Sequence, residues 1–473
     1  MFKDVLTNRM CRCTLIGFGL AWLAACSGPG PLYQRPDAGL PATWGKQAPS
    51  AQFSPPAALP WQSLYVDARL QTLIRTALDR NHDMRLALTR IEEARALWGV
   101  QRADQLPNVS LGASHTGART PPLVQGNPAA VNVRRYDLGL NLLSFELDVW
   151  GRVASLNDAA RLNFQATEDD RRTLRISLVN DVANAYFAWL EAQQREGLMQ
   201  QAEQNRDQIR RLTQQRSEAG AASQLEVTLA QSAWLNARAE VQAMQRQTEQ
   251  ARLALTLLLG GAWPASVPEG LPLPLQNTPL VWGADLPSEV LLQRPDVRAA
   301  EQRLMAAHAN IHAARAAFLP RLQLTGLLGT ASPALNNLMG GGSQAWNFVP
   351  SLQLPIFDAG RNESGLDLAM ARKNQAVVIY EKTLQQAFRE VADALVARDT
   401  LQAQWLAQNE GLEVWRERER LLGLRHRHGA AGLAEWLDAQ RDVVQAEQVL
   451  AQIQRQKLTA NAQLFKALGG GDL

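Results

Sequence analysis

Two histidines carry the first spacing that could do chemistry: His308 and His312 stand four apart in the string HANIH. On a helix that spacing brings two imidazoles to one face, where they could meet a metal ion. The string lacks the glutamate that HExxH supplies as general base, so a surface or packing role is the stronger reading. His426 and His428 are two apart and point to different helix faces. No P-loop, no dinucleotide-type glycine fingerprint after a strand and no convincing nucleophile elbow occurs along the chain. The expectation is a protein that is not an enzyme and uses neither metal nor cofactor.

Cys26 offers a different chemistry. Lys3, Arg9 and Arg12 precede a twelve-residue apolar run from Thr14 to Ala25, too short to span a bilayer and suited to a signal peptide over 1–25. The run ends Leu23-Ala24-Ala25-Cys26, which resembles a bacterial lipobox, where cleavage leaves the cysteine as an acylated first residue. Cys11 and Cys13 would leave with the signal, so the mature chain keeps only Cys26 and no internal disulfide can form. Ser27 follows where, under the enterobacterial sorting rule, an aspartate would favour inner-membrane retention, which points to the outer membrane. The 473 residues are 46% apolar and 20% charged, enough for a core, and the formal charge is +3. Removing the +2 of the signal leaves about +1, so charge gives no support to a nucleic-acid partner.

The elements that must position these groups show in the prolines. All 23 avoid the stretches 129–263 and 356–473, and proline costs ~3 kcal/mol inside a helix, so both stretches are expected to be long helices. Between Gly151 and Gly220 the only interior glycine is Gly197; such a segment suits a coiled coil or the wall of a tube. Residues 70–261 can also be laid on 283–470. Asn81-His82-Asp83 sits opposite Arg294-Pro295-Asp296, and Leu106-Pro107 opposite Leu319-Pro320, at a shift of 213. Gly151-Arg152, Gly220 and Gly260-Gly261 match Gly360-Arg361, Gly429 and Gly469-Gly470 at 209. Four residues are lost between Pro320 and Gly360, where a length-tolerant loop is expected.

In that interval the periodicity falls to two, the signal of strands. Tyr136, Leu138, Leu140 and Leu142 alternate with Asp137, Gly139 and Asn141, and Trp346, Phe348, Pro350, Leu352 and Leu354 with Asn347, Val349, Ser351 and Gln353. Val109, Leu111 and Ala113, and then Leu322 and Leu324, alternate likewise ahead of them. Each copy therefore holds one hairpin of membrane-crossing length. Four strands cannot close a barrel, and an open sheet in lipid leaves two unpaired edges. Two copies would supply eight strands and three would supply twelve, a choice these residues leave open.

The lipobox, the duplication and the strings FELDVWGR (Phe145 to Arg152), PIFDAGR (Pro355 to Arg361), RSEAGAASQLEV (Arg216 to Val227) and RHRHGAAGLAEWLDAQR (Arg425 to Arg441) resemble the TolC-like outer-membrane factors. The nearest branch is the NodT-type outer-membrane efflux lipoproteins, and the resemblance covers nearly all of the mature chain. It implies a mainly α chain with a small β part, assembled as a homotrimer. Its 12-stranded outer-membrane β-barrel would take four strands per chain and continue as a long α-helical periplasmic barrel. The parts would be a signal peptide (1–25), a lipid-anchored extended linker (26–60), a first repeat (61–261; hairpin 107–145, tip near 220), a linker (262–287) and a second repeat (288–473; hairpin 320–355, tip near 429). The implied function is that of a passive exit duct for drugs or small solutes. Its implied partners are a periplasmic adaptor, an inner-membrane transporter of RND type and outer-membrane lipid, with no nucleic acid and no cofactor beyond the lipid on Cys26. The rival readings are a periplasmic adaptor, which the duplication contradicts, and a lipid-anchored coiled-coil scaffold, which leaves the hairpins unexplained.

The resemblance also implies a gate at the second tip. Asp438 would project into the lumen in a ring of three, favouring cations and raising each carboxyl's proton affinity. Ala434 would stand at an aliphatic constriction, smaller than the leucine expected, with Leu433 adjacent. Arg425 and His426 would occupy the place of an Arg-Tyr latch, and Asp207 and Glu218 are candidate acidic partners. Gly220 and Gly429 are expected to end the long helices, Ser223 and Gly432 to precede new ones, Leu225, Leu229 and Ser232 to share a packing face, and Trp263 and Trp282 to pack against the outside of the tube.

Overall fold

The computed structural model describes residues 33–37, 39–45, 60–121, 130–278 and 285–470; Cys26 and Trp282 lie outside them. In chain order the elements are α1 (Trp61–Leu64), α2 (Ala68–Arg80), α3 (His82–Ala103), β1 (Val109–Thr120), β2 (Val131–Leu147), α4 (Arg152–Glu218), α5 (Gln224–Leu258), α6 (Pro295–Ala316), β3 (Arg321–Ser332), β4 (Gln344–Gln353), α7 (Arg361–Arg427) and α8 (Leu433–Ala467). Matching helices have equal lengths: 22 residues for α3 and α6, 67 for α4 and α7, and 35 for α5 and α8. The four-residue difference between the copies does not sit in the hairpin connections, as expected. Instead β2 has 17 residues and β4 has 10, while the spans 121–130 and 333–343 are nearly equal. The longer β2 more than covers the surplus, one residue of it as a β-bulge, and the longer stretch between β4 and α7 offsets the rest.

The same chemistry ends the long helices twice. Gly220 and Gly429 take φ of +73° and +72°, where a side chain would be strained. The Ala221 N–H donates to Arg216 O at 2.7 Å and Ala430 N–H to Arg425 O at 2.8 Å, which closes each last turn in the Schellman pattern. The next helix starts differently in the two copies. Ser223 and Glu226 form a reciprocal capping box at α5, whereas Gly432 supplies no side-chain cap to α8.

Two compact units emerge. The first takes the described residues of 1–36 with 91–166 and 300–380; the second takes those of 37–90, 167–299 and 381–473. The first unit holds a four-stranded antiparallel sheet in the order β1-β2-β3-β4, so the two hairpins lie side by side. β1 and β4 are its edges.

The second unit is helical, and its core gathers Leu70, Leu73, Ile74 and Ala77 of α2, spaced as one helix face, against Val182, Tyr186 and Phe187 of α4 and Leu458 and Phe465 of α8. Trp263 lies against this core, edge-on to Trp189 with 5.5 Å between ring centroids. One buried carboxylate organises the core's polar groups. Asp67 is 1% exposed; its Oδ1 accepts the Arg69 N–H (2.7 Å) and the Leu70 N–H (3.4 Å), capping α2. Its Oδ2 accepts the Tyr186 hydroxyl at 2.7 Å, the Leu271 N–H at 3.0 Å and the Gln276 amide. Burial, and then this bond to Asp67, push the Tyr186 phenol above its ordinary range. One side chain thus ties the first helical turn, a long helix and the inter-repeat linker.

The duplication appears here too. The Asn81 side chain donates to Leu258 O (3.0 Å), and at the equivalent place Arg294 donates to Ala467 O (2.6 Å). Each repeat therefore pins the end of its return helix to the residue before α3 or α6. Arg294 is 5% exposed and is neutralised by Asp296 and Glu390, at 2.7 and 2.8 Å.

Replacing Asp67 by Ala removes the acceptor of five donors at once, so unfolding free energy in detergent should fall by on the order of 3 kcal/mol, against about 1 kcal/mol for Tyr186→Phe. Chemical denaturation followed by circular dichroism reads both; equal effects of the two variants would contradict a hub at Asp67.

Candidate functional site

The sheet has two unlike faces. Directly paired residues share a face, so the register puts Leu111, Leu140, Leu328 and Trp346 in one row, and Val109, Leu142, Gly326 and Phe348 in the next. Phe145 with Leu324 and Pro350, then Leu147 with Leu322 and Leu352, continue this apolar face. The opposite face carries Ser110, Gly112, Ser114, Asp137, Asn141, Gln323, Thr325, Asn347 and Ser351, with Leu327, Val349, Val131, Val133 and a few alanines among them. Trp346 is 76% exposed and Leu111 74%. A contiguous apolar surface of this kind requires a cover, and its alternation across strands of 10 to 17 residues suits hydrocarbon on one side and water on the other. No described helix is long and apolar enough to cross a membrane.

A bulge preserves the face. From Tyr136 to Leu142 the apolar residues of β2 are even-numbered; beyond Leu142 they are the odd-numbered Leu143, Phe145 and Leu147. Leu142 pairs with Gly326 and Phe145 with Leu324, so β2 spends three residues where β3 spends two, and Ser144 takes φ of +45°. Without that extra residue Ser144 and Glu146 would turn to the apolar face. Glu146 instead accepts both Arg152 bonds, at 2.8 and 2.6 Å, where β2 hands over to α4.

The seam between the copies is a glycine pair. Gly139 lies opposite Gly329. A Cβ on Gly329 would come within 2.1 Å of Leu138 O, and one on Gly139 within 2.7 Å of Leu328 O. Only glycine lets β2 and β3 approach so closely.

The second functional region is the helix tip at Gly429. Ala434 and Asp438 are one helical turn apart and both exposed, and Asp438 has one exposed ion partner, Arg441 at 3.3 Å. Leu433 is on another face: it is 3% exposed and packs with Ile209 and Ala230. Leu433 therefore joins the tip's own core and does not share the face of Ala434 and Asp438. Arg425 donates to Ala430 O across its own turn at 3.2 Å. His426 stacks on Trp436, 5.3 Å between centroids and 25° between planes, with its Nδ1 3.1 Å from Ala431 O. The acidic candidates have other partners: Asp207 holds Arg210 and Arg211 at 2.7 and 2.6 Å, and Glu218 accepts from Gln214 at 2.9 Å. The bond from Arg210, with Arg211 behind it, keeps the Asp207 carboxyl below the usual carboxylate range. Leu225 is 69% exposed and Leu229 37%; the buried face of α5 is Ala230, Ala237 and Val241.

Sequence reasoning missed the ties within this hairpin. The Trp436 indole N–H donates to Glu419 at 2.8 Å, Arg418 pairs with Asp442 at 2.7 Å and Arg416 with Glu447 at 2.8 Å. Part of their signal was available, since Glu419 with Trp436 and Arg418 with Asp442 stand at comparable distances on either side of the turn at Gly429 and so meet when two antiparallel helices pack.

The outer membrane efflux protein family profile matches residues 73–261 and 286–470. Outer membrane protein OprJ of Pseudomonas aeruginosa is 42% identical over 455 residues, covering 95% of this chain and 94% of OprJ. The toluene efflux pump outer membrane protein TtgC of Pseudomonas putida is 38% identical over 93% of this chain and 92% of its own. The open state of the Neisseria gonorrhoeae MtrE outer membrane channel superposes with a TM-score of 0.82 at 36% identity, over 93% of this chain and 98% of MtrE.

Gly329→Val should abolish the β2–β3 seam and with it the folded, membrane-inserted form. Gly326→Ala, whose added carbon would meet its nearest neighbour at 3.4 Å, should keep it. Electrophoresis of unheated outer-membrane fractions distinguishes folded from unfolded chain; a folded Gly329→Val variant would contradict the close approach.

Proposed function

The chain belongs to the outer membrane efflux protein family, and on that premise we propose that three copies join β1 edges to β4 edges in one twelve-stranded barrel. The barrel is the exit duct of a tripartite pump, which a periplasmic adaptor connects to an RND-type inner-membrane transporter. The observation that carries this reading is the sheet: apolar on one face, polar on the other, and open at both edges. Lipid covers the first face, the second lines a water-filled passage, and hydrogen bonds to neighbouring copies satisfy the edges. A lumen lined by polar residues from three chains has little need to recognise its cargo. The cargo is drugs or other small solutes, and the transporter chooses among them.

Cys26 carries the lipid in this reading, supported by the string Leu23-Ala24-Ala25-Cys26. At the other end Asp438, exposed on α8 one turn beyond Ala434, forms a ring of three carboxylates at the periplasmic mouth. Arg425 and His426 latch the mouth through the turn they already brace, from Gly429 to Ala431.

In a bacterium lacking its own outer-membrane efflux proteins, this chain together with its matched adaptor and transporter should restore resistance to hydrophobic antibiotics. Adaptor and transporter without it should not. Resistance that ignores the chain's presence would overturn the proposal. In planar bilayers Asp438→Ala should lower the preference for cations; unchanged selectivity and conductance would remove Asp438 from the pore.

A further inference from the structure

We propose that His308 and His312 form a bidentate site for an imidazole-preferring divalent cation, Cu²⁺ or Zn²⁺, on the closing turns of α6 ahead of β3. The HANIH string has no catalytic glutamate, but a binding site needs none. The two Nε2 atoms lie 3.3 Å apart, with the rings 5.1 Å between centroids and inclined at 67°. A cation about 2.1 Å from each nitrogen would subtend about 104° between them, close to the tetrahedral angle zinc prefers. The i,i+4 spacing on α6 thus sets the two nitrogens at the separation an ion would bridge.

Imidazole binds metal in its neutral form. In the metal-free pair one Nε2–H donates to the other Nε2. When the ion enters, that ring moves its proton to Nδ1, both Nε2 lone pairs go to the metal, and no net proton is released.

The surroundings set the class of ion. The Tyr33 ring stands edge-on to His308 at 6.4 Å. Its hydroxyl donates to Glu301 at 3.1 Å, and Glu301 also accepts both Arg35 bonds, at 2.7 and 3.0 Å. Among the described residues no cluster of three or more His, Cys, Asp or Glu could hold a metal. In this proposal water completes the shell, and a nitrogen pair with water selects copper, nickel or zinc over magnesium or calcium.

The test is titration of the full-length chain, purified in detergent without a polyhistidine tag, with Cu²⁺ alone, followed by electron paramagnetic resonance. One equivalent per chain should bind with coupling to two imidazole nitrogens, and Zn²⁺ should compete for it. His308→Ala and His312→Ala should each remove the two-nitrogen signal and weaken binding by at least roughly tenfold, while His426→Ala and His428→Ala leave both unchanged. Circular dichroism of each variant separates loss of a ligand from loss of fold. A two-nitrogen signal that survives in either α6 variant, or its absence from the parent chain, would overturn the site.

Discussion

A backbone N–H or C=O in hydrocarbon has no water to bond, and each one left unpaired costs several kcal/mol. This chain presents an apolar sheet face with two open edges, β1 and β4. Such a sheet is stable in a membrane only if something with the same strand geometry continues it, and the natural candidate is another copy of itself. Closure, the apolar exterior and a polar interior all follow from that one constraint. So does the need for a chain whose two hairpins pair with each other, which the Gly139–Gly329 approach makes possible.

Duplication is how the sequence meets the constraint economically. One helix–hairpin–helix–helix unit, repeated, gives two hairpins that share a sheet and two long helix pairs ended by the same glycine chemistry at Gly220 and Gly429. The copies have diverged where their tasks differ. Asp67 and its linker partners brace the first repeat, whereas the buried Arg294 with Asp296 and Glu390 braces the second. The first tip starts its return helix with a capping box; the second has Gly432 there and is braced by Trp436, Glu419 and two Arg–carboxylate pairs instead.

Much of this was legible in the residues. Proline gaps give the four long helices, because proline excludes itself from helix interiors, and period-two alternation gives the strands. The bulge in β2 was also visible in principle, as the change from even apolar positions through Leu142 to odd ones at Phe145 and Leu147. Attention to the hairpin loops misplaced the length difference because the extra length of β2 against β4 carries it. The helix tips were harder. Leu433, Leu225 and Leu229 are alike as residue types, yet Leu433 is buried and the other two are exposed. That outcome depends on which helix lies across from each, which a single helix's periodicity does not encode. Asp67 was overlooked for a similar reason: its place before an amphipathic run marks a helix cap, but three of its five donors come from more than a hundred residues away.

The central claim is that edge meets edge between copies and that the ring closes. Cysteine pairs scanned along the polar-face positions of β1, such as Ser114, and of β4, such as Asn347 and Ser351, address it directly, because the chain's three cysteines, Cys11, Cys13 and Cys26, all precede residue 27. After oxidation in outer membranes, one register should give a ladder of two and three linked chains that ends at three. Chains that remain single in every register, or a ladder that closes at two or runs past three, would contradict the account.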